Sequence, residues 1–241
     1  MLYTSKRNKG GKPMSLPKID TSNLWDKTYT LLKERIIRRK FDPNHKLSIP
    51  ELSDQLGVSR TPVRDALNRL EMEGLVKTIS KVGTFVVAIN DQDVLNIMDT
   101  RLMLEFWVVE KLNDVNKDTL KYRLSRMEEI LRLSAEKVES NRIDDYLKAD
   151  FNLEFHLEFM ELGQNKNNID IYLRTMNYRY ITMKSSIVTD EMVKVAQDQH
   201  QQIVDALKGG QTSDMKQVIK LHLEDSKERL LRGIRENGGT I

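Results

Sequence analysis

The chain contains no cysteine, only five prolines in 241 residues, and few aromatic residues (6%). Without cysteine there is no disulfide framework, no thiolate metal site and no thiol nucleophile, so a covalently stapled secreted scaffold is excluded and a reducing cytoplasm suits the composition. Long apolar runs are lacking too. None approaches the roughly 20 residues needed to cross a bilayer, and no secretory signal precedes the folded part. Neither H-E-x-x-H nor G-x-S-x-G occurs, which removes the commonest sequence signs of a zinc peptidase or a serine hydrolase.

What is present is charge, unevenly placed. The chain is 39% hydrophobic and 31% charged, long enough for two domains of ordinary size with separate cores. Its net charge of +3 hides an asymmetry: residues 1–88 carry 17 Lys and Arg against 9 Asp and Glu, net +8, whereas residues 89–241 carry 22 against 27, net −5. A basic first third is the composition expected of a part that meets phosphates.

Local patterning inside that basic third is specific. The leading segment 1–20 is basic, lacks periodic apolar positions and is expected to be mobile, serving either as a phosphate-binding arm or as a functionless leader ahead of Met14. A first helix is expected over residues 23–40, its end marked by Arg38, Arg39 and Lys40, which suit the helix dipole and could touch phosphate. Ile49, Leu52 and Leu56 recur at helical spacing and Gly57 follows at the stop position, so a short second helix ends there. Ser59 then stands where a hydroxyl can cap a third helix, with Pro62 in its first turn. Val63, Ala66, Leu67 and Leu70 form one apolar stripe, leaving Arg60, Arg64, Asn68 and Arg69 toward solvent or a partner. After Gly74, β-rich stretches at residues 75–79 and 84–87 flank Ser80, Lys81, Val82 and Gly83, a hairpin with a basic tip. Helix, turn, helix and hairpin is the order of a winged helix-turn-helix. The plain alternative for Arg60 and Arg64 is a pair of solvated surface charges.

From Leu56 through Gly57, Val58, Ser59, Arg60, Thr61, Pro62, Val63, Arg64, Asp65, Ala66 and Leu67, the sequence closely resembles the GntR family of bacterial transcription regulators. That resemblance implies sequence-specific binding of duplex DNA. It implies contacts to bases or phosphates from Arg60 and Arg64 at the start of the recognition helix, with Ser59 and Thr61 beside them. Lys81 would lie at the wing, and Gly83 would let the wing backbone approach the minor groove. The family often carries glutamate where Ile49 stands and a second wing glycine near Ser80 or Lys81.

From Asp91 onward proline is absent and helical periodicity recurs in blocks, so an all-α bundle is expected. The blocks are residues 91–112, 117–140, 143–162, 168–186, 190–208 and 213–235, with Gly209 and Gly210 as the clearest break. The expected division is therefore a leader (1–20), a winged helix-turn-helix (21–88), a helical domain (89–236) and a short flexible tail (237–241). Of four histidines, His156, His200 and His222 fall on three different helices of the second domain, each beside apolar residues. Imidazoles converging from separate helices suit zinc, nickel or another late first-row divalent ion. For each one taken singly, a core histidine satisfied by hydrogen bonds is the competing reading.

The second domain resembles the FCD ligand-binding domain of the FadR branch of the same family. Arg101 followed by Glu105 fits its opening pattern, Phe155 and His156 fit its first histidine stretch, and His200 and His222 fit the two later histidines. The resemblance implies a divalent metal (Zn or Ni) held by one aspartate and three histidines, a small carboxylate effector beside it, and a homodimer on a palindromic operator. The aspartate is the departure. The family places it four residues before the first histidine, where this chain has Asn152. Asp150 lies about 240° around a helix from His156 against about 40° for Asn152, so it cannot substitute without unwinding. Asn152 is thus the expected fourth, neutral ligand of a looser site. Arg101 is the expected partner of an effector carboxylate, with a structural salt bridge to Glu105 as its alternative. Tyr178, Arg179 and Tyr180 could also line the pocket.

Effector binding would act by favouring one placement of the DNA-binding domains over another, with release from DNA as the default; that the regulator is a repressor is what the family resemblance implies. Two other readings stay open: a regulator with a structural metal, or none, and a non-acid effector; and, more remotely, a metal-dependent hydrolase with Glu154 or Glu158 as base.

Overall fold

The computed structural model describes residues 22–38, 40–139, 149–177, 190–236 and 238–239. The leading segment, Arg39, the expected helical stretches 143–148 and 178–186, and most of the tail lie outside the described residues. So do Tyr178, Arg179 and Tyr180. The basic third forms α1 (Ser22–Ile37), β1 (Lys46–Leu47), α2 (Ile49–Leu56), α3 (Arg60–Met72), β2 (Val76–Ile79) and β3 (Gly83–Val86). The strands make one antiparallel sheet in the order β1-β3-β2, with Thr78 facing Thr84 and Lys46 facing Phe85.

The apolar periodicities explain this packing. Leu32 and Ile36 of α1, Leu52 of α2, Val63, Leu67 and Leu70 of α3, and Val76 and Val86 of the sheet are all buried together. The helix-turn-helix bend is fixed at Gly57, whose φ of 64° places it in the left-handed region and whose N–H reaches the carbonyl of Asp54. Two details differ from the sequence reading. Ser59 precedes α3 but its hydroxyl makes no capping bond, and the two-residue strand β1 was not foreseen. The latter pairs with β3 beside Gly83, whose φ of +144° is a conformation that side-chain-bearing residues rarely adopt. Gly83 is therefore needed inside the fold, whatever it does at a DNA surface.

The helical part comprises α4 (Asp91–Lys111), α5 (Lys117–Glu139), α6 (Phe151–Glu161), α7 (Lys166–Met176), α8 (Asp190–Gly209) and α9 (Thr212–Glu236). Asn90 starts α4 through a capping box: its side chain accepts from the Asp93 N–H while the Asp93 carboxylate accepts from the Asn90 N–H. Helix α4 packs against α7 and α9, α5 against α6 and α8, and α8 against α9. Gly163, just past α6, lets Trp107 of α4 lie against the backbone, since a Cβ there would sit 2.3 Å from the indole ring. The expected single helix over 143–162 is broken instead at Asp150, which has φ 55° and lies in the left-handed region ahead of α6. Among the described residues no helix is long and apolar enough to cross a membrane.

Candidate nucleic-acid interface and metal centre

Helix α3 divides cleanly into two faces. Val63, Ala66, Leu67 and Leu70 are buried, while Arg60, Thr61, Arg64 and Asn68 are exposed. Among the described residues neither Arg60 nor Arg64 has a hydrogen-bond or ion-pair partner, so two guanidinium groups stand one turn apart at the open end of the helix. Arg69, expected toward solvent or a partner, is partly exposed and has its partners within the chain. It bonds Asp26 of α1 at 2.8 Å and lies 4.0 Å from the Tyr29 ring centre, which makes it a strut between α1 and α3. Arg38 is exposed and paired with Glu34 at 2.7 Å. Lys81 is exposed at the wing tip, in the left-handed conformation with φ 61°. Ser59 is exposed at the mouth of the same surface.

The three second-domain histidines are brought together. His156 from α6, His200 from α8 and His222 from α9 are all buried, and His156 Nε2 lies 3.2 Å from Nε2 of each of the other two. Their position follows from packing: His200 stacks on Phe155 at 4.2 Å, and Phe155, Ile203, Val204 and Ile219 close the surrounding core. Burial pushes all three imidazoles below their ordinary range, with the nearby Arg101 charge adding to the effect; His200 is pushed down to about 3. Neutral rings carry one lone pair each.

Two neighbours show where those lone pairs point. Arg101 Nη2 donates to His156 Nε2 at 3.2 Å, so that nitrogen carries no proton, its lone pair meets the guanidinium, and its Nδ1–H faces Glu105 Oε2 at 3.7 Å. His222 Nδ1 lies 2.9 Å from Gln199 Oε1, an acceptor, which leaves His222 Nε2 without a proton as well. A tetrahedral ion with ~2.0 Å bonds to nitrogen sets its ligand atoms ~3.3 Å apart. The Nε2 spacing therefore fits a first-row divalent ion, and the donor set is one such ions accept. Asn152 lies one turn before His156 on α6 and is half-buried. The Asp150 carboxylate, despite the unwinding at that residue, is not among the groups that converge with the imidazoles.

Arg101 is 2% exposed, and its guanidinium bonds Glu105 at 3.1 and 3.2 Å. Tyr172 of α7 donates to the same carboxylate at 2.8 Å. The foreseen alternative of a salt bridge to Glu105 is thus present, and Arg101 sits directly on the imidazole cluster besides. Five residues on from Tyr172, the Asn177 side-chain amide donates to the Glu73 carbonyl, just past α3, at 2.6 Å. Sequence reasoning missed Gln199, Tyr172 and Asn177. Only Gln199 carried a hint, being the residue next to His200. The two residues weighed as a hydrolytic base stand apart: Glu158 is held by Arg123 at 2.7 Å and Glu154 is exposed.

Comparison with known proteins agrees with both halves. Residues 24–86 match the model of the bacterial regulatory proteins of the gntR family, and residues 96–225 match the FCD domain. The chain is 26% identical over 215 residues to the HTH-type transcriptional regulator YdhC of Bacillus subtilis, covering 86% of this chain and 91% of that one. It is 26% identical over 203 residues to the HTH-type transcriptional repressor GlaR of Escherichia coli, covering 81% and 90%. Its fold is similar to that of a GntR regulator from Rhodococcus sp. RHA1, with a TM-score of 0.64 at 22% identity over 87% of this chain and 98% of the other. The chain therefore belongs to the GntR family of bacterial regulatory proteins, in the group that carries an FCD domain, and is a DNA-binding transcription regulator rather than an enzyme.

Proposed function

We propose that this regulator is a cytoplasmic homodimer, that it grips a palindromic operator, and that it is released when a small organic acid binds beside a zinc or nickel ion in the helical domain. The observation that carries the effector half is the convergence of three buried imidazoles, with His156 Nε2 lying 3.2 Å from Nε2 of each of the other two. His156, His200 and His222 would hold the ion, with Asn152 as a neutral fourth donor. A bound ion of this kind supplies a Lewis-acidic positive charge.

Charge counting favours an anionic effector. Arg101 and Glu105 cancel, the imidazoles are neutral, and Asn152 contributes no carboxylate, so a dication here is uncompensated in a buried place. An organic carboxylate offsets it, and Arg101, whose Nε and Nη2 are held by Glu105 and His156, supplies a fixed positive charge beside it. On the DNA side, Arg60, Thr61 and Arg64 would enter the major groove, with Ser59, Lys81, Gly83 and Arg38 set against the backbone or minor groove. One recognition helix reads too few base pairs alone, which is why a two-fold dimer is the reading adopted. The relative named as a repressor supports repression as the sign.

Metal analysis of protein purified without chelator or nickel resin, beside His200→Ala, tests the centre. Zinc or nickel that stays bound in the variant overturns it. A thermal-shift panel of carboxylic acids with and without added zinc tests the effector class, since a ligand of the folded state raises the melting temperature.

A further inference from the structure

Behind His222 runs a polar chain toward solvent. His222 Nδ1 is 2.9 Å from Gln199 Oε1, Gln199 Nε2 donates to Asp225 Oδ2 at 3.0 Å, and Asp225 is ion-paired with Arg229 one turn later on α9. Asp225 is 38% exposed, so the chain begins near the surface and ends at the imidazole cluster.

The polarity of this chain is fixed from its outer end. An ionised carboxylate paired with a guanidinium only accepts hydrogen bonds, so the Gln199 amide must turn its NH2 toward Asp225. Its carbonyl oxygen then faces His222 and accepts from Nδ1, which must carry the proton. In a neutral ring the Nε2 lone pair is left bare. Turning the amide over would set its carbonyl against the carboxylate and its NH2 against Nδ1, and would place an Nε2–H in the mouth of the site.

We propose that Gln199 is a positioning residue for metal binding, oriented by Asp225 and Arg229, and that this relay holds His222 in the tautomer a metal requires. His156 has a different device, the donation from Arg101, so the relay is specific to His222. The inference rests on the metal-binding reading above, yet part of it can be tested without metal.

Long-range proton–nitrogen spectra of 15N-histidine-labelled, chelator-treated protein report the tautomer of each ring. His222 should show Nδ1–H in the wild type and a mixture in Gln199→Leu and Asp225→Leu. Zinc affinity, measured by competition with a chromophoric chelator, should fall ~10–100-fold in Gln199→Leu, the range typical of groups that orient metal-bound imidazoles. Gln199→Glu in an Asp225→Leu background, which keeps an acceptor oxygen on Nδ1 without setting two carboxylates against each other, should restore it; a purely structural defect would not be rescued in this way. Asp225→Leu, which removes the outer acceptor from a partly exposed position, carries the test if Gln199→Leu fails to fold. An unchanged His222 tautomer together with unchanged zinc affinity in both variants overturns the relay. Wild-type protein that takes up no zinc instead overturns the metal centre, and the tautomer spectra then still decide the relay.

Discussion

Acidification is the perturbation to which the imidazole cluster is most exposed. In the unfolded chain His156, His200 and His222 each take up a proton near 6.5, whereas in the folded domain burial and the Arg101 charge hold all three lower, His200 down to about 3. The unfolded state therefore binds more protons throughout that window. Stability is complete above about 6.5 and is lost as the pH falls toward the folded values. Between about pH 7 and about pH 5 the loss is ~2 kcal/mol for a ring that stays neutral in the fold, as His200 does, and His156 and His222 add to it in the same direction. That is a sizeable part of the ~5–15 kcal/mol by which an ordinary domain is stable at all. Urea denaturation of chelator-treated protein, followed by circular dichroism across this range, should show a steeply falling midpoint. His200→Gln removes one titrating ring and should remove its share, ~2 kcal/mol, of the pH dependence. A midpoint that stays level from about pH 7 to about pH 5 would refute the reasoning, as would a slope that His200→Gln leaves untouched.

Other substitutions probe separate parts. Arg101→Met leaves the Glu105 carboxylate, fully buried, without its counter-charge and should destabilise by ~3–5 kcal/mol; adding Glu105→Leu should recover much of that in a denaturation series. Asn152→Asp supplies the carboxylate that the family places there and should tighten zinc binding in chelator competition; weaker binding would mean that position 152 does not face the ion. Arg64→Ala should weaken binding to a selected duplex by ~1–3 kcal/mol and relax sequence preference, whereas unchanged retention would remove its reading role.

Much of the architecture could be read from spacing, for stated physical reasons. The stop at Gly57, the buried stripe of α3 and the wing all follow from local periodicity and turn chemistry, and each was found where expected. Inward-facing histidines were legible because apolar residues flank each of them. What was not legible depends on groups that meet only in three dimensions. The short strand β1 exists because Lys46 and Leu47 find β3, not because two residues have a pattern of their own. A helical wheel sets Arg69 toward solvent or a partner without showing that Asp26 and Tyr29 of α1 claim it. The unwound Asp150 breaks a stretch whose periodicity runs straight through it. Histidine tautomers were out of reach as well, since they are dictated by Arg101 and Gln199 across helix boundaries.

Helix α7 has a mechanical consequence. Five residues, about 7.5 Å of axial rise, separate the phenol of Tyr172, seated on Glu105, from the amide of Asn177, seated on the carbonyl at the end of α3. A hydrogen-bonded helix is stiff along its axis, so one short rigid segment is pinned at one end to the carboxylate beside the imidazoles and at the other to the end of α3.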